Sequence, residues 1–370
     1  MIHYVKGKVP RQAHVGIPEG LYEEEHGRQG FFGRVVQLYH LHPPMGWKRI
    51  EGPLRPRGFD THKLRPTDLT DPQGEPLKLL YNNDVALLVS RRSAPMPFCL
   101  RNGDGDEIRF IHKGQGVLHT DFGPLRYEEG DYIVIPKGTT YRVIPEADEN
   151  FTLIVQSRGE VGFADRGGLG AYAPFDYGLL ETPEPEPLTA EGREWEVRIE
   201  RRGERTSIFY DFYPFDVVGW KGTLSVFKLN VRDIRPISSE GVHLPPSAHG
   251  TFNGRGFVLC TFLPHPLPRD AEALKLPWDH RNIDYDEVFF LHSGEFTPSA
   301  RMGPAPVGFL NHNPQGLHHG PPPEALEYSK GWKDARLQHV RLNLDTEEPL
   351  VIAPEAQEVE MNYAALWNKK

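Results

Sequence analysis

The apolar positions of this 370-residue chain fall in short runs divided by glycine, proline and acidic residues. Between about residues 80 and 160 five runs follow in close order: VALLVSRR, EIRFIHKG, GVLHTDFG, GDYIVIPKG and TLIVQSRG. Each is rich in Val, Ile, Leu or Phe, too short for a helix and closed by turn residues, which is the pattern of strands. Strand-like runs resume at RTSIFYDFY, TLSVFKLNV and FVLCTFL. Upstream of residue 75 only FFGRVVQLYHL, at 31–41, has this character; the rest is rich in Pro, Gly, Arg and His and predicts an extended arm. An acidic, proline-rich stretch at about 178–200 predicts a connection, and the closing EVEMNYAALW predicts a helical end. Strand residues alternate between faces, so a closed set of such strands aims every second side chain into a shared interior.

Composition supports an all-β chain with many turns: Gly 37 and Pro 35 are both abundant. The length allows a large core and two domains. A net charge of -9 without a long basic run argues against nucleic acid as partner. Two cysteines, Cys99 and Cys260, in strand contexts do not make a disulfide scaffold and suit a reducing cytoplasm. The opening MIHYVKGKVPRQ lacks the apolar centre of a signal peptide, and no apolar run approaches membrane-spanning length. The sequence therefore predicts a cytoplasmic protein with no membrane partner.

Two windows in the last third carry chemistry: HRNIDYDEVFFLHSGE, from His280 to Glu295, and GFLNHNPQGLHHG, from Gly308 to Gly320. Glu287 is followed by six residues and then Gly294; His280 precedes it by seven. Gly308, Pro314, Gly316 and His319 stand in the register G-x5-P-x-G-x2-H. This is the spacing of a cupin metal site, with Asn282 where the first motif has its second histidine. Strands so spaced aim His280, Glu287 and His319 at one interior point. Two imidazoles and one carboxylate on one face of a metal form the ligand set of non-heme Fe(II) oxygenases, with open positions for substrate and O2; Mn(II) or Ni(II) would tolerate similar sites. Seventeen histidines mean that many are ordinary hydrogen-bonding residues. The turn residues in register set this trio apart. His292, His312 and His318 crowd the same segment and either line a pocket, support the ligands from behind or do neither.

The first strand block repeats the pattern. Glu107 is followed by six residues and Gly114, and Gly130, Pro136 and Gly138 reproduce the second motif, but Tyr141 stands in the histidine's place. The upstream CLRNGDGDE has no histidine. The turns are kept and the ligands lost. The prediction is a bicupin of two double-stranded β-helix barrels, only the C-terminal barrel binding metal. Its parts are an arm at 1–75, a structural cupin at 76–177, a connection at 178–200, a metal-binding cupin at 201–345 and a tail at 346–370.

With these motifs, the chain resembles the homogentisate 1,2-dioxygenase family over roughly residues 80 to 320. The resemblance lies in NGDGDEIRFIHKGQGVLHTDFGPLRYEEGDYIVIPKG, in FDVVGWKGTLSVFKLN, and above all in HRN…E and HHGP. It implies Fe(II) held by His280, Glu287 and His319. It also implies a histidine before a Pro-Ser pair that handles the substrate's hydroxyl proton. His243, in GVHLPPSAH, is the match, and His249 is its rival. Asn282, Phe296, Arg301, His312 and His318 are the candidate pocket residues. The implied activity is ring cleavage of a hydroquinone-like aromatic acid, homogentisate or a relative, with O2, in aromatic catabolism by a cytoplasmic homo-oligomer. The alternatives are a gentisate-like or heteroaromatic-diol enzyme and a non-catalytic binding bicupin. The chain also departs from the family. Glu287 lies one residue further from His280, and Phe296 and Ser299 replace a tyrosine and a lysine of the pocket wall. A less polar wall predicts that homogentisate is second to a hydroquinone with a less acidic side chain, unless Arg301 restores the positive charge.

Overall fold

The computed structural model describes residues 4–190, 194–297 and 303–364. Strands dominate, and the α-helices among the described residues are the short Pro323–Ser329 and Pro354–Gln357. No helix among them is long and apolar enough to cross a membrane. The strands form four sheets, of seven, six, four and eight members. The first two are built mainly from the N-terminal half and the eight-stranded one mainly from the C-terminal half, while the four-stranded sheet joins two strands of residues 22–40 to two of residues 279–319.

The two halves repeat one plan. In the first, strand Asp106–Lys113 lies between Asp131–Ile135 and Phe151–Ser157. In the second, Asp286–Ser293 lies between Phe309–Asn313 and Val340–Thr346. Runs such as DYIVI form strands buried along their whole length, because both of their faces are covered. The motif turns are matched atom for atom. The amide of Gly138 donates to the carbonyl of Asn102 and that of Gly316 to the carbonyl of Asn282, both at 2.8 Å. These glycines have φ of 81° and 77°, a left-handed conformation that a side chain would oppose. Asp106 accepts the amides of Lys137 and Val161, and Asp286 accepts those of Gln315 and Leu350.

The predicted arm is woven into the C-terminal half. Tyr22–Gly27 pairs in parallel with Asp279–Asn282, and Arg57–Asp60 pairs with Phe309–Asn313. The predicted strand at 31–41 is present as Val35–His40. In the tail, Val351–Ile352 joins the N-terminal seven-stranded sheet and Glu360–Met361 lies beside Arg57–Asp60. The predicted helical end falls partly on this strand and partly on 365–370, outside the described residues. The connection ends in strand Trp195–Arg201, which pairs in parallel with Cys99–Asn102.

One hydrophobic core runs through both halves and joins Phe110 and Tyr132 to Phe252, Leu259, Phe290 and Leu344. A histidine pair sits within it. His112 and His292 are 4% and 6% exposed, with their Nδ1 atoms 2.9 Å apart, so one ring donates to the other. Burial pushes His112 down to about 2, helped by the charge of His292, and pushes His292 down to about 4. Both are therefore neutral in the folded protein above about pH 4. As pH falls from about 6.5 towards 4, the unfolded chain takes up protons at these rings that the folded chain refuses. Stability is lost on acidification, by about 1.4 kcal/mol per pH unit per histidine. His292→Asn should flatten the dependence of the urea midpoint on pH between 4 and 6.5 by about one proton. An unchanged slope would remove this pair as its source.

Candidate metal centre

His280 and His319 are direct cross-strand neighbours in the four-stranded sheet, and Glu287 comes from the eight-stranded sheet facing it. Alternation along each strand aims all three into the space between. Their ligand atoms lie within 4.8 Å of one another, and all three residues are buried. The imidazole rings are 3.9 Å apart, and Glu287 Oε2 lies 3.6 Å from Nε2 of His280 and 3.3 Å from Nε2 of His319.

The other ring nitrogens are already committed. Nδ1 of His280 donates to the carbonyl of Trp278 at 3.0 Å, and Nδ1 of His319 to that of Leu317 at 3.4 Å. These bonds fix the tautomer that leaves both Nε2 lone pairs facing Glu287. Both Nε2 atoms are shielded from water and lack a hydrogen-bond partner. Two orphaned buried acceptors and one carboxylate oxygen on a common point fit a divalent cation.

The charges agree. Burial opposes ionising Glu287, yet His319 and His280 together hold its carboxyl well below the usual carboxylate range. Burial also lowers His280, but the Glu287 carboxylate outweighs it and raises that imidazole. His319 is lowered by burial and by the charge of His280. Asp345, paired in register with Glu287, is raised by burial and then by the Glu287 charge. Behind the site Asp279 is pushed up to about 8, chiefly by burial.

A cavity of about 480 Å³ opens onto this face and is lined by His280, Glu287 and His319. His243 also lines it, edge-on to Trp278 with ring centroids 6.0 Å apart. Burial, and then the charges of His265, His14 and Arg341, lower His243 to about 3, so the ring is neutral. His249, the rival, packs between Phe262 and His265 and lines a small recess on the other side of His243, not the cavity itself. Phe296 is in the cavity wall, edge-on to Phe289. Ser299 and Arg301 lie outside the described residues.

The remaining candidates point elsewhere, and strand parity explains each case. Asn311 and Asn313 face the cavity, which turns His312 to the opposite side, where its Nε2 meets Asp286 at 2.8 Å. His318, next to His319, turns back to Glu24 at 2.8 Å. His292 faces the inter-half core. Asn282 is buried beneath the site with Nδ2 unpaired, and its carbonyl holds the Gly316 turn.

Sequence reasoning missed the support from the arm. Glu23, Glu24 and Glu25 are all buried behind the His280 strand and bond His14, His40 and Gln37 in turn. It also missed Asn343 and Arg341 in the cavity wall. The signal was available in VRLNLDT, where Arg341, Asn343 and Asp345 alternate with apolar residues.

The N-terminal half holds the same geometry with other chemistry. Tyr141 pairs across strands with Leu100, as His319 does with His280. Its hydroxyl donates to Glu107 at 3.0 Å, and Arg109 reaches the same carboxylate oxygen at 2.9 Å. Asn102 donates to the other oxygen at 3.0 Å. A guanidinium thus stands where a metal would, and with Gln156 also donating to Glu107 at 3.5 Å the carboxylate's acceptor sites are taken. Tyr141→His is accordingly expected to leave metal content at one ion per chain, measured by metal analysis after reconstitution. Two ions per chain would contradict the assignment.

The family description "Homogentisate 1,2-dioxygenase N-terminal" matches residues 80–231. A Saccharolobus solfataricus protein named as a dioxygenase is 29% identical over 97% of this chain and 97% of its own length. Homogentisate 1,2-dioxygenases of Bradyrhizobium diazoefficiens and Nitrobacter hamburgensis are 25% and 27% identical over 72% and 62% of this chain. The matched parts span 62% and 52% of those two enzymes. Among solved structures, a cupin 2 barrel protein of Leptotrichia buccalis aligns over 74% of this chain and 88% of its own, with a TM-score of 0.35 and 8% identity.

Proposed function

We propose, as a consequence of the chain's belonging to the homogentisate 1,2-dioxygenase family, that it is an Fe(II)-dependent dioxygenase opening the ring of a hydroquinone-like aromatic compound. The observation that carries this reading is the convergence of two orphaned imidazole Nε2 atoms and one carboxylate at the wall of a cavity of about 480 Å³. The architecture belongs to the same proposal. The two pairs of sheets are two cupin barrels, and only the C-terminal one takes metal; the repeated turn contacts and the Arg109 guanidinium on Glu107 support this.

His280, Glu287 and His319 would hold the ion, and bound Fe(II) would supply O2 activation and a Lewis acid for a phenolic oxygen. The chain's own groups do the rest. The Nδ1 bonds to Trp278 and Leu317 carbonyls lock both imidazoles in position. Phe31, Trp278, Phe289 and Phe296 give the cavity flat apolar walls that hold an aromatic ring and keep water from it. His243, neutral and on the same cavity, accepts the proton of a substrate hydroxyl. Cys99 and Cys260 are buried free thiols, in keeping with work in a reducing cytoplasm.

The test is O2 consumption by protein reconstituted anaerobically with Fe(II), across homogentisate, gentisate and other hydroquinones. Uptake with at least one of them is expected. A metal-loaded protein that binds the panel and consumes no O2 is a binding bicupin instead.

A further inference from the structure

The cavity contains a cation whose hydrogen bonds are unused. Arg341 lies in its wall, and the guanidinium makes no hydrogen bond or ion pair with the described residues; Nε is shielded from water without a partner. Its neighbours are aromatic faces, with Phe262 at 4.4 Å, Phe289 at 5.3 Å and Phe296 at 5.9 Å from the guanidinium carbon. Rings hold the plane of a guanidinium but leave its in-plane N–H donors unsatisfied. Arg341 is only partly exposed, and a cation so shielded and unpaired is costly unless an anion completes it. The carboxylate whose charge acts on it is Glu287, and that group is turned to the two imidazoles.

Its placement suggests what the anion is attached to. Arg341, Asn343 and Asp345 share one face of strand Val340–Thr346, with Asp345 opposite Glu287 and Arg341 opposite Leu291. Four residues of strand, roughly 13 Å at about 3.3 Å per residue, separate the register of the metal face from that of the guanidinium. One aromatic ring with a short side chain fits between two side chains reaching inward from those positions. We propose that Arg341 is the anion-recognising residue of this cavity and that the ligand carries a carboxylate on the side of the ring away from the metal face. This rests on the ring-cleavage reading for the ligand's aromatic hydroxyl, but not for its acid. It also reverses the expectation of a less polar wall: Phe296 brings no polar group, yet a planar fork suited to bidentate carboxylate binding stands beside it.

The test is equilibrium binding of phenylacetate and its neutral isostere phenylacetamide, followed by the fluorescence of Trp278 and Trp332, which line the cavity. It is run on metal-free and on Fe(II)-loaded protein under anaerobic conditions. The wild type should prefer the acid by about 10- to 100-fold in both states, the scale of hydrogen bonds to a charged group. Arg341→Met should remove that preference and weaken phenylacetamide binding far less than phenylacetate binding, and Arg341→Lys should keep only part of the preference. Equal binding of acid and amide by the wild type overturns the proposal, as does a preference that survives Arg341→Met. The two readings fail separately. Arg341-dependent binding without O2 uptake on any hydroquinone sinks only the enzyme, and O2 uptake indifferent to the acid sinks only Arg341.

Discussion

Glu287→Ala is expected to remove most of the bound iron and all measurable substrate-dependent O2 uptake, while the fold persists. Glu287 is the one anionic member of the trio and the only one contributed by the opposite sheet. Without it, two neutral imidazoles from adjacent positions remain, and a divalent ion loses both a ligand and its charge partner. The fold should hold because it rests on the apolar core running through both halves. His280→Ala and His319→Ala should behave alike. Circular dichroism and metal analysis on the same samples separate ligand loss from unfolding. Full iron content in all three variants would place the metal elsewhere.

His243→Ala is expected to lower kcat by about 10²-fold or more, the usual scale for losing a positioned acid or base, with iron content unchanged. His243 shares the cavity with the trio but is not among the converging ligand atoms. Burial lowers its pKa to about 3, so the ring is neutral but a weak base, and it would share the proton only of a hydroxyl made acidic by a bound metal ion. His249→Ala, six residues on, should cost stability more than turnover, because that ring is packed between Phe262 and His265 and does not line the main cavity. If the turnover defect follows His249 instead, the assignment moves there. Iron loss in His243→Ala would make it a ligand.

The trio was legible in the sequence because its signal is local: strands, turn glycines and ligands fall within two short windows whose spacing is set by strand geometry. The repeat was legible for the same reason, through Gly130, Pro136 and Gly138. What the windows could not show was direction. His312 and His318 sit in the motif but face away from the cavity, since each follows or precedes a residue that faces in. Glu23, Glu24 and Glu25 do not look like a strand, because charged runs are ordinarily solvated; here a neighbouring strand pairs them and His14, His40, Gln37 and Tyr39 satisfy them. Arg341 lies outside both windows, about fifty residues along the chain from Glu287, and reaches the site only through the pairing of Asp286–Ser293 with Val340–Thr346. Arg109 was in plain view in EIRFIHKG, but its position on Glu107 depends on two side chains sharing one strand face.

The central claim, that this chain uses one iron to put both atoms of O2 into one aromatic substrate, is tested most directly by isotope labelling. Wild-type protein carrying one Fe(II) per chain is mixed under ¹⁸O2 with whichever hydroquinone gives the fastest O2 uptake, and the product mass is read before exchange with water. The account predicts a ring-opened product heavier by both labelled atoms, with no reductant required and no product from Glu287→Ala. Label absent from the organic product, or uptake that survives in Glu287→Ala, would contradict it.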